Sequence, residues 1–276
     1  MEWIRKYDSK MKSTCLNFAF LLVASSLSFA QINPTGEFDS IQFVQSIEFN
    51  MARIEGGTFK MGCPDSIRCV GDNQPIHEVT VSSFYLNKLE LTVFQYATIL
   101  GLDYSIYENV CYNCPSIMYE KDIVDELLSQ LNSLSDIKYR LPTEAEWEFA
   151  ARGGNKSNGY LFSGSNTLDE VSWNRNNSKE LRPVGQLAPN ELGLYDMTGN
   201  ASEYCSDLYS PDYYTKIPSV NPKGPTAAEI PKKYLIINAA RGGNICDDFF
   251  SSNVYHRQWD GGAWRGLIAI RLARDL

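Results

Sequence analysis

Apolar residues recur at helical spacing in three segments of this 276-residue chain, 92–100, 122–134 and 143–152. Each segment keeps its apolar side chains on one face, which predicts an amphipathic helix. Elsewhere, short apolar runs alternate with glycine and polar residues, as is typical of short strands joined by loops. The pattern therefore predicts a loop-rich domain with short strands and three helices.

Two of these helices begin with a capping box. In this arrangement a threonine side chain accepts a hydrogen bond from the third helical amide, and the Gln or Glu at that position reaches back to the threonine amide. The pairs are Thr92 with Gln95 and Thr143 with Glu146. Gly153 follows the third helix and is suited to a left-handed closing turn. We expect all three helices to serve as scaffold.

The N-terminal residues 1–30 have the layout of a secretory signal peptide. Lysines precede an apolar run over 16–29, and Ala30 ends a small-residue cleavage site. The run is too short to span a bilayer comfortably, although a short membrane anchor is the alternative. We therefore expect an exported protein (periplasmic, cell-surface or secreted) with an N-terminal lead over 31–49, one domain over 50–276 and no transmembrane segment after cleavage.

The composition excludes several classes of protein. Hydrophobic residues make up 43% of the chain and charged residues 21%, which indicates a globular protein rather than a disordered one. The net charge of −8 argues against nucleic acid as a partner, because a phosphate backbone recruits lysine and arginine. His77 and His256 are the only two histidines, so a multi-histidine metal centre is not expected.

Cleavage after Ala30 would remove Cys15 and leave six cysteines. An even number in an exported chain suggests disulfides, although sequence alone does not choose the pairing. A redox motif or half of a zinc site is the alternative for the Cys-x-x-Cys spacing, and a free thiol is the alternative for the last cysteine. Two pairs are close enough in sequence to be local disulfides, Cys63–Cys69 and Cys111–Cys114. The two cysteines that remain would then form a long-range bridge, Cys205–Cys246.

Several sequence blocks occur in a fixed order along the chain. They are GGTFKMG at 56–62, HEVTVSSFYLNKLELTVFQY at 77–96, RLPTEAEWEFAARGG at 140–154, PNELGLYDMTGNASEYCSD at 189–207 and ARGGN at 240–244. Together they resemble the formylglycine-generating enzymes, also called sulfatase-modifying factors, over most of the predicted domain. The resemblance implies an α+β fold: a single compact domain, a variant of the C-type lectin fold with little regular secondary structure. The family commonly ends in Gly-Phe-Arg, and the matching Arg271 is expected to anchor the closing strand through carbonyl oxygens.

The resemblance also implies one calcium site. Its matching ligands are the side chains of Asp196 and Glu203 and the carbonyl oxygens of Gly199 and Ala201. Hard oxygens suit calcium, and groups two residues apart in extended backbone project the same way. Asp196 stands where the family often has asparagine, and two tryptophans usual in this loop are absent. The alternative is a turn whose acids bind no metal. The ligands of a second family calcium site near 173–177 cannot be aligned.

The catalytic centre of the family is where this chain departs from the resemblance. Formylglycine-generating enzymes hold copper(I) on two thiols, spaced as Gly-Gly-x-x-x-Cys-x-x-x-x-Cys, and thiolates suit this soft ion. Counted from Gly242 and Gly243, the two thiol positions hold Asp247 and Ser252, while Cys246 lies one residue early. Carboxylate and hydroxyl are poor ligands for copper(I), so copper is not expected here.

These features predict an exported, non-catalytic member of the family that acts as a binding or cell-envelope assembly module. Its partner would be a protein or a glycan held by loops, because loops carry recognition. The candidate loops are 104–120 and 204–216, and in the second Tyr209, Tyr213 and Tyr214 would supply either contact area or core. The alternative function is an oxidase that converts a sulfatase cysteine to formylglycine.

Overall fold

The computed structural model describes residues 40–276 except 66, 68–71, 104–108, 119, 232–236 and 261–266. The predicted signal peptide lies outside the described residues, as do Cys69 and part of the predicted loop at 104–120. No helix in the described part of the chain is long and apolar enough to cross a membrane.

Five α-helices and nine short strands make up the regular structure of the described residues. The helices are α1 Ser40–Phe49, α2 Val93–Leu100, α3 Lys121–Ser133, α4 Glu144–Ala151 and α5 Leu168–Val171. The strands are β1 Met51–Ile54, β2 Gly57–Met61, β3 His77–Val81, β4 Phe84–Asn87, β5 Ser202–Leu208, β6 Asn238–Arg241, β7 Gln258–Trp259, β8 Ile268–Ala269 and β9 Ala273–Asp275. Single 3₁₀ turns lie at Gly154–Lys156 and Tyr213–Thr215.

The strands form three small sheets. One is antiparallel in the order β1-β4-β9, a second pairs β2 with β3, and the third has the order β7-β6-β5-β8. Only the β5–β8 pair is parallel. Strand β9, at the C-terminal end of the described residues, pairs with β4, and its Asp275 lies opposite Phe84.

The three predicted helices are confirmed, and both capping boxes are present. In α2, Gln95 N donates to Thr92 Oγ1 over 3.2 Å, and Thr92 N donates to Gln95 Oε1 over 3.0 Å. In α4 the matching distances between Thr143 and Glu146 are 3.1 and 2.9 Å. Gly153 has a φ of 88°, so the left-handed turn expected after α4 is also present.

Helix α1 lies inside the segment predicted as an N-terminal lead, and it packs against the domain. Tyr139 Oη donates to Glu48 over 2.8 Å, and Arg274 of β9 donates to the same carboxylate over 2.7 Å. These hydrogen bonds to Glu48 connect the first described helix with the last strand. The buried residues of α1 are Phe43, Val44 and Ile47.

Strand β5 separates two hydrophobic clusters. Neighbouring side chains of a strand point to opposite faces. Cys205 accordingly packs in the cluster around Trp147 of α4, whereas Tyr204 packs in the cluster that includes Leu127 and Leu131 of α3. A strand buried on both faces is a rigid support for polar groups placed within it, and it carries the residues of the site.

The disulfide predictions have different outcomes. Cys111 and Cys114 are bonded, as predicted, with a Cα–Cα distance of 5.3 Å. Cys63 is disulfide-bonded, while its predicted partner lies outside the described residues. The predicted Cys205–Cys246 bridge is wrong. Cys205 points from β5 into the core, where burial raises the pKa of its thiol, whereas Cys246 lies in the loop after β6 and is partly exposed.

Candidate functional site

Helix α4 turns two acidic side chains into the protein interior. Glu144 and Glu148 share a face with Trp147, and all three are at most 1% exposed. Burying a carboxylate is costly unless it is paired and hydrogen-bonded. The helix therefore requires cations from elsewhere in the chain.

Two buried arginines supply those cations. Arg257 donates two hydrogen bonds to the Glu144 carboxylate, over 2.7 Å from Nε and over 3.0 Å from Nη2. Arg241 donates to Glu148 over 2.5 Å. Burial by itself would raise the pKa of Glu144, but Arg257 and Arg241 outweigh it and hold that pKa below its usual value. The fold thus keeps ionised pairs in its core.

Trp147 joins this network to the predicted calcium segment. Its indole Nε1 donates to Glu203 Oε2 over 2.7 Å. Arg271 donates to both oxygens of the same carboxylate, over 2.5 to 3.1 Å. Arg271 also donates to the carbonyl oxygens of Asn87 and Tyr195, which confirms the expectation that it anchors the closing strand. Glu203, a predicted metal ligand, therefore already has an arginine partner.

Asp196 and Glu90 add two more buried acids near Glu203. Asp196 has a φ of 57°, and its Oδ2 accepts a 2.6 Å hydrogen bond from the Gly185 amide. Burial raises the pKa of Asp196 to about 6. The pKa of Glu90 is raised well above its usual value by burial, by Asp196 and by Glu203. Three acids thus lie within electrostatic reach of one another and of the Arg271 guanidinium.

The remaining predicted ligands, Gly199 and Ala201, lie in the turn before β5. Gly199 has a φ of 79°, and a Cβ there would come within 2.2 Å of Ser172 Oγ, so this position requires glycine. The Ala201 amide donates to Glu90 Oε1 over 3.1 Å. The four predicted ligands therefore share one buried segment.

The donors of this segment suit calcium in chemistry, since carboxylate and carbonyl oxygens are its usual ligands. The three acids and one arginine leave negative charge that a cation would balance. Within the described residues, however, no three or more His, Cys, Asp or Glu side chains are arranged to hold a metal ion, and the carboxylate of Glu203 is shared with Arg271 and Trp147. Calcium at Asp196 and Glu203 stays a prediction.

The two positions that match the copper thiols lie in the loop after β6, residues 242–252. Asp247 is built into a closed ring of hydrogen bonds there. Its Oδ2 accepts from the Asn244 amide over 2.9 Å and from Gln258 Nε2 over 3.0 Å. Ser202 Oγ donates to Gln258 over 2.8 Å and accepts from Asn244 Nδ2 over 3.2 Å, which closes the ring. The ring holds the start of the loop rigidly against β5 and β7.

The second thiol position, Ser252, is equally enclosed. It is 1% exposed, and a Cβ on Gly243 would come within 3.2 Å of its Cα and its Oγ. Cys246 supplies the thiol nearest to these positions along the chain. The Cys246 amide donates to Asn244 Oδ1 over 2.9 Å, so its backbone belongs to the same turn as Asp247. The carboxylate of Asp247 and the hydroxyl of Ser252 are hard oxygen ligands, so these two positions do not fit copper(I).

The structure decides between the two roles left open for the tyrosines of the predicted loop. Tyr209, Tyr213 and Tyr214 are at most 7% exposed, so they fill the core rather than supply contact area. Phe249 and Phe250 are instead 44% and 41% exposed, and they lie between the two matched thiol positions. Two adjacent phenylalanines directly after two aspartates, in a loop rich in polar residues, were the sequence signal that could have pointed to them.

Comparison with known proteins identifies the family. The model of the sulfatase-modifying factor enzyme 1-like domain matches residues 42–276. Chaperone protein LppX of Paenibacillus barcinonensis is 30% identical over 245 residues, which cover 69% of this chain and 80% of that protein. The formylglycine-generating enzyme of Streptomyces coelicolor is 41% identical over 100 residues, 31% of this chain and 32% of the enzyme.

Solved structures support the same conclusion for the fold. Treponema denticola variable protein 1 matches with a TM-score of 0.68 and 22% identity, over 82% of this chain and 95% of that protein. PvdO from Pseudomonas aeruginosa matches with a TM-score of 0.68 and 23% identity, over 82% and 94%. The predicted α+β fold, a single-domain variant of the C-type lectin fold, is confirmed. Because the family model matches most of its length, this chain belongs to the sulfatase-modifying factor family of the formylglycine-generating enzymes.

Proposed function

We propose that this protein is a non-catalytic member of its family that binds a protein partner through the loop after β6. One observation carries the proposal. The positions that match the copper thiols hold Asp247 and Ser252, both enclosed, while Phe249 and Phe250 between them present large apolar surface to solvent. Such a loop is poorly equipped for copper chemistry and well equipped for recognition.

The two exposed phenylalanines rest on a buried base. The Phe249 ring meets the buried Phe162 ring edge-on at 5.0 Å, and Phe250 meets Phe249 at 5.5 Å. Together with the hydrogen-bond ring at Asp247, this contact holds the loop in place. Rigid aromatic side chains lose little entropy on binding, and exposed apolar patches mark interaction sites.

The neighbouring segment adds the other residue types that dominate interfaces. The Arg175 amide donates to Asp247 O over 3.2 Å, and its guanidinium lies 3.7 Å from Asp248. Two residues before it, Trp173 carries the Arg182 guanidinium over its ring at 5.0 Å. Tryptophan and arginine are enriched among the residues that carry most binding energy. We define Trp173, Arg175, Arg182, Phe249 and Phe250 as the partner face.

The relatives support a protein partner. A protein named a chaperone is 30% identical to this chain, and chaperones act by binding other proteins. Export to the cell envelope, where an assembly module would work, rests on the predicted signal peptide over 1–30 and is part of the proposal. A structural calcium ion at the predicted ligands Asp196, Gly199, Ala201 and Glu203 is also part of it.

Site-specific photo-crosslinking tests the partner face. Phe250 is replaced by p-benzoyl-phenylalanine in cells of the source organism, and the exposed Gln130 of α3 receives the same probe as a matched control. We expect a defined protein adduct from position 250 that is absent from position 130. Adding Trp173→Ala should remove this adduct while the variant still unfolds cooperatively. Equal adducts at both positions, none at either, or an adduct of carbohydrate alone would overturn the proposal of a protein partner.

The same protein distinguishes the alternative function. The purified chain is treated with copper(I) and incubated with a Cys-x-Pro-x-Arg peptide, and the peptide mass is then measured. We expect no conversion of cysteine to the aldehyde, because Asp247 and Ser252 supply no thiolate. Conversion would establish an oxidase and contradict the non-catalytic assignment.

A further inference from the structure

A polar cavity lies at the C-terminal end of α4, and none of its lining residues belongs to the loop after β6 or to the acids around Glu203. Its volume is about 390 Å³, within the range of roughly 300–1,000 Å³ that is usual for small-molecule sites. The lining residues that matter for its chemistry are Phe59, Phe149, Arg152 and Asn155.

Arg152 brings an incompletely used guanidinium to this cavity. Its Nη1 donates to Lys60 O over 2.6 Å and to Glu148 Oε1 over 3.0 Å. Among the described residues, no acceptor is hydrogen-bonded to its Nε or Nη2. Guanidinium donors lie in a planar fork that matches a carboxylate with two parallel hydrogen bonds. Part of that fork is therefore left for a ligand.

The carboxylate that pairs with Arg152 is shared with a second arginine. Glu148 is the ion-pair partner of Arg152, but that fully buried carboxylate also pairs with Arg241 over 2.5 Å. Arg241 has Glu144 as a further acid partner over 3.4 Å, so Glu148 belongs to a larger buried network of ion pairs. The Arg152 side chain keeps 21% of its surface exposed, whereas that of Arg241 has none, so Arg152 is the cation that an incoming anion reaches.

Aromatic rings fix the position of this guanidinium and form one wall of the cavity. Arg152 lies over the Tyr255 ring at 4.8 Å and over the Phe59 ring at 5.7 Å. Phe59 is supported by Phe149, with ring centroids 5.3 Å apart. A supported aromatic face next to a cation suits a ligand that has both an apolar face and a negative group.

Asn155 supplies an oriented acceptor on the same cavity. Its Nδ2 donates to Gly56 O over 3.0 Å and to Glu55 O over 3.3 Å. The side-chain oxygen Oδ1 lies beside Gly57, where an added Cβ would come within 2.2 Å of it. No described residue donates a hydrogen bond to Oδ1. A hydroxyl group of a ligand would satisfy it.

We propose that this cavity binds a sugar that carries a carboxylate, such as a hexuronic acid. The carboxylate pairs with the free side of the Arg152 fork, a ring hydroxyl donates to Asn155 Oδ1, and the C–H face of the ring packs on Phe59. This proposal is independent of the partner face, because it uses none of the residues of that face.

Titration with simple probes tests the cavity. D-Glucuronate, D-glucose and acetate are each titrated into the full chain and followed by calorimetry. We expect glucuronate to bind and the two probes that lack either the carboxylate or the ring to bind at least about tenfold more weakly, because each probe loses one of the contacts that the cavity offers. Equal binding of glucuronate and glucose, or no binding of glucuronate at millimolar concentration, overturns the proposal. Titration with an oligosaccharide that ends in glucuronate, compared with titration of free glucuronate, then shows whether the cavity prefers the end of a sugar chain or the free sugar.

Variants assign the binding to the cavity. Arg152→Gln should weaken glucuronate binding about tenfold or more, whereas Lys138→Gln, which removes the charge of an exposed lysine outside the cavity and outside the partner face, should leave it unchanged. Phe59→Leu, which keeps the apolar wall but removes the ring, provides a second variant if Arg152→Gln does not fold, and it should also weaken binding. Unchanged glucuronate binding in folded Arg152→Gln or Phe59→Leu contradicts the assignment.

Discussion

Glu144 holds one negative charge between two buried guanidinium groups, so its charge matters more than its volume. Glu144→Gln keeps the shape but leaves Arg257 and Arg241 with too little negative charge in the interior. Breaking a buried ion pair by removing one partner costs about 3–5 kcal/mol. We expect Glu144→Gln to lower the free energy of unfolding by about 3 kcal/mol, measured by urea denaturation at pH 7.

Asp125→Asn is the matched control for that variant. It also replaces an acid by its amide and removes an ion pair, that of Asp125 with Lys121, but this acid is 61% exposed. Surface pairs of this kind contribute about 0.3–0.5 kcal/mol. If Glu144→Gln destabilises no more than Asp125→Asn, the buried pair does not have the role in stability that we assign to it.

The roles of single residues were predictable from the sequence where they depend on neighbouring residues or on a family motif. Arg271 was expected to anchor the last strand, and it does. The burial of Glu144 and Glu148 was not predicted, because helical patterning places acids on the solvent side. Their partner Arg241 lies 93 residues beyond Glu148 in the chain, so no local pattern pairs them. The available signal was the spacing of Glu144, Trp147 and Glu148, which stand at positions i, i+3 and i+4 and therefore share one face of the helix.

At the level of elements, the capping box of α4 is a local feature with a measurable contribution. Loss of a threonine cap costs about 1 kcal/mol. We expect Thr143→Ala to lower the free energy of unfolding by that amount, because the Glu146 amide loses its acceptor, while Thr143→Ser should lose less than half as much. Urea denaturation of both variants measures this. Equal losses would show that the methyl packing of Thr143, rather than its hydroxyl, stabilises the helix start.

Helices were predicted correctly because caps and periodicity are contained within about ten residues. Pairings between distant segments were not accessible in this way. Strand β9 pairs with β4, which lies far earlier in the sequence, and the predicted Cys205–Cys246 bridge was wrong because it too depended on a long-range arrangement. An even cysteine count does not reveal that β5 points Cys205 into the core, and tyrosine content does not reveal which loop is exposed.

For the whole molecule, several buried acids make stability depend on pH. Burial raises the pKa of Asp196 to about 6 and that of Asp207 to about 7. When the pKa of an acid is higher in the folded state than in the unfolded state, the folded state holds the proton more tightly. The contribution to stability is complete at a pH below the ordinary pKa, and it is lost as the pH rises through the folded-state pKa. Without a bound cation, we therefore expect stability to fall between about pH 4 and pH 7. Asp196 alone accounts for about 3 kcal/mol. Glu144, whose pKa is lowered, acts in the opposite direction only at lower pH.

Calcium would reverse this loss if it binds the ionised acids as proposed. A ligand that binds only the folded state stabilises it according to its concentration and affinity. We expect the unfolding temperature at pH 7.5 to be several degrees higher in millimolar calcium than in EGTA, with little difference at pH 4.5, where the Asp196 carboxyl, with its pKa raised to about 6, is protonated in the folded state. Asp196→Asn keeps an oxygen that accepts from Gly185 but removes the charge. It should weaken both the calcium response and the fall in stability with pH. A pH 7.5 unfolding temperature that is the same in calcium and EGTA would leave the three acids as a costly interior cluster with Arg271 as their cation, and the calcium site would have to be abandoned.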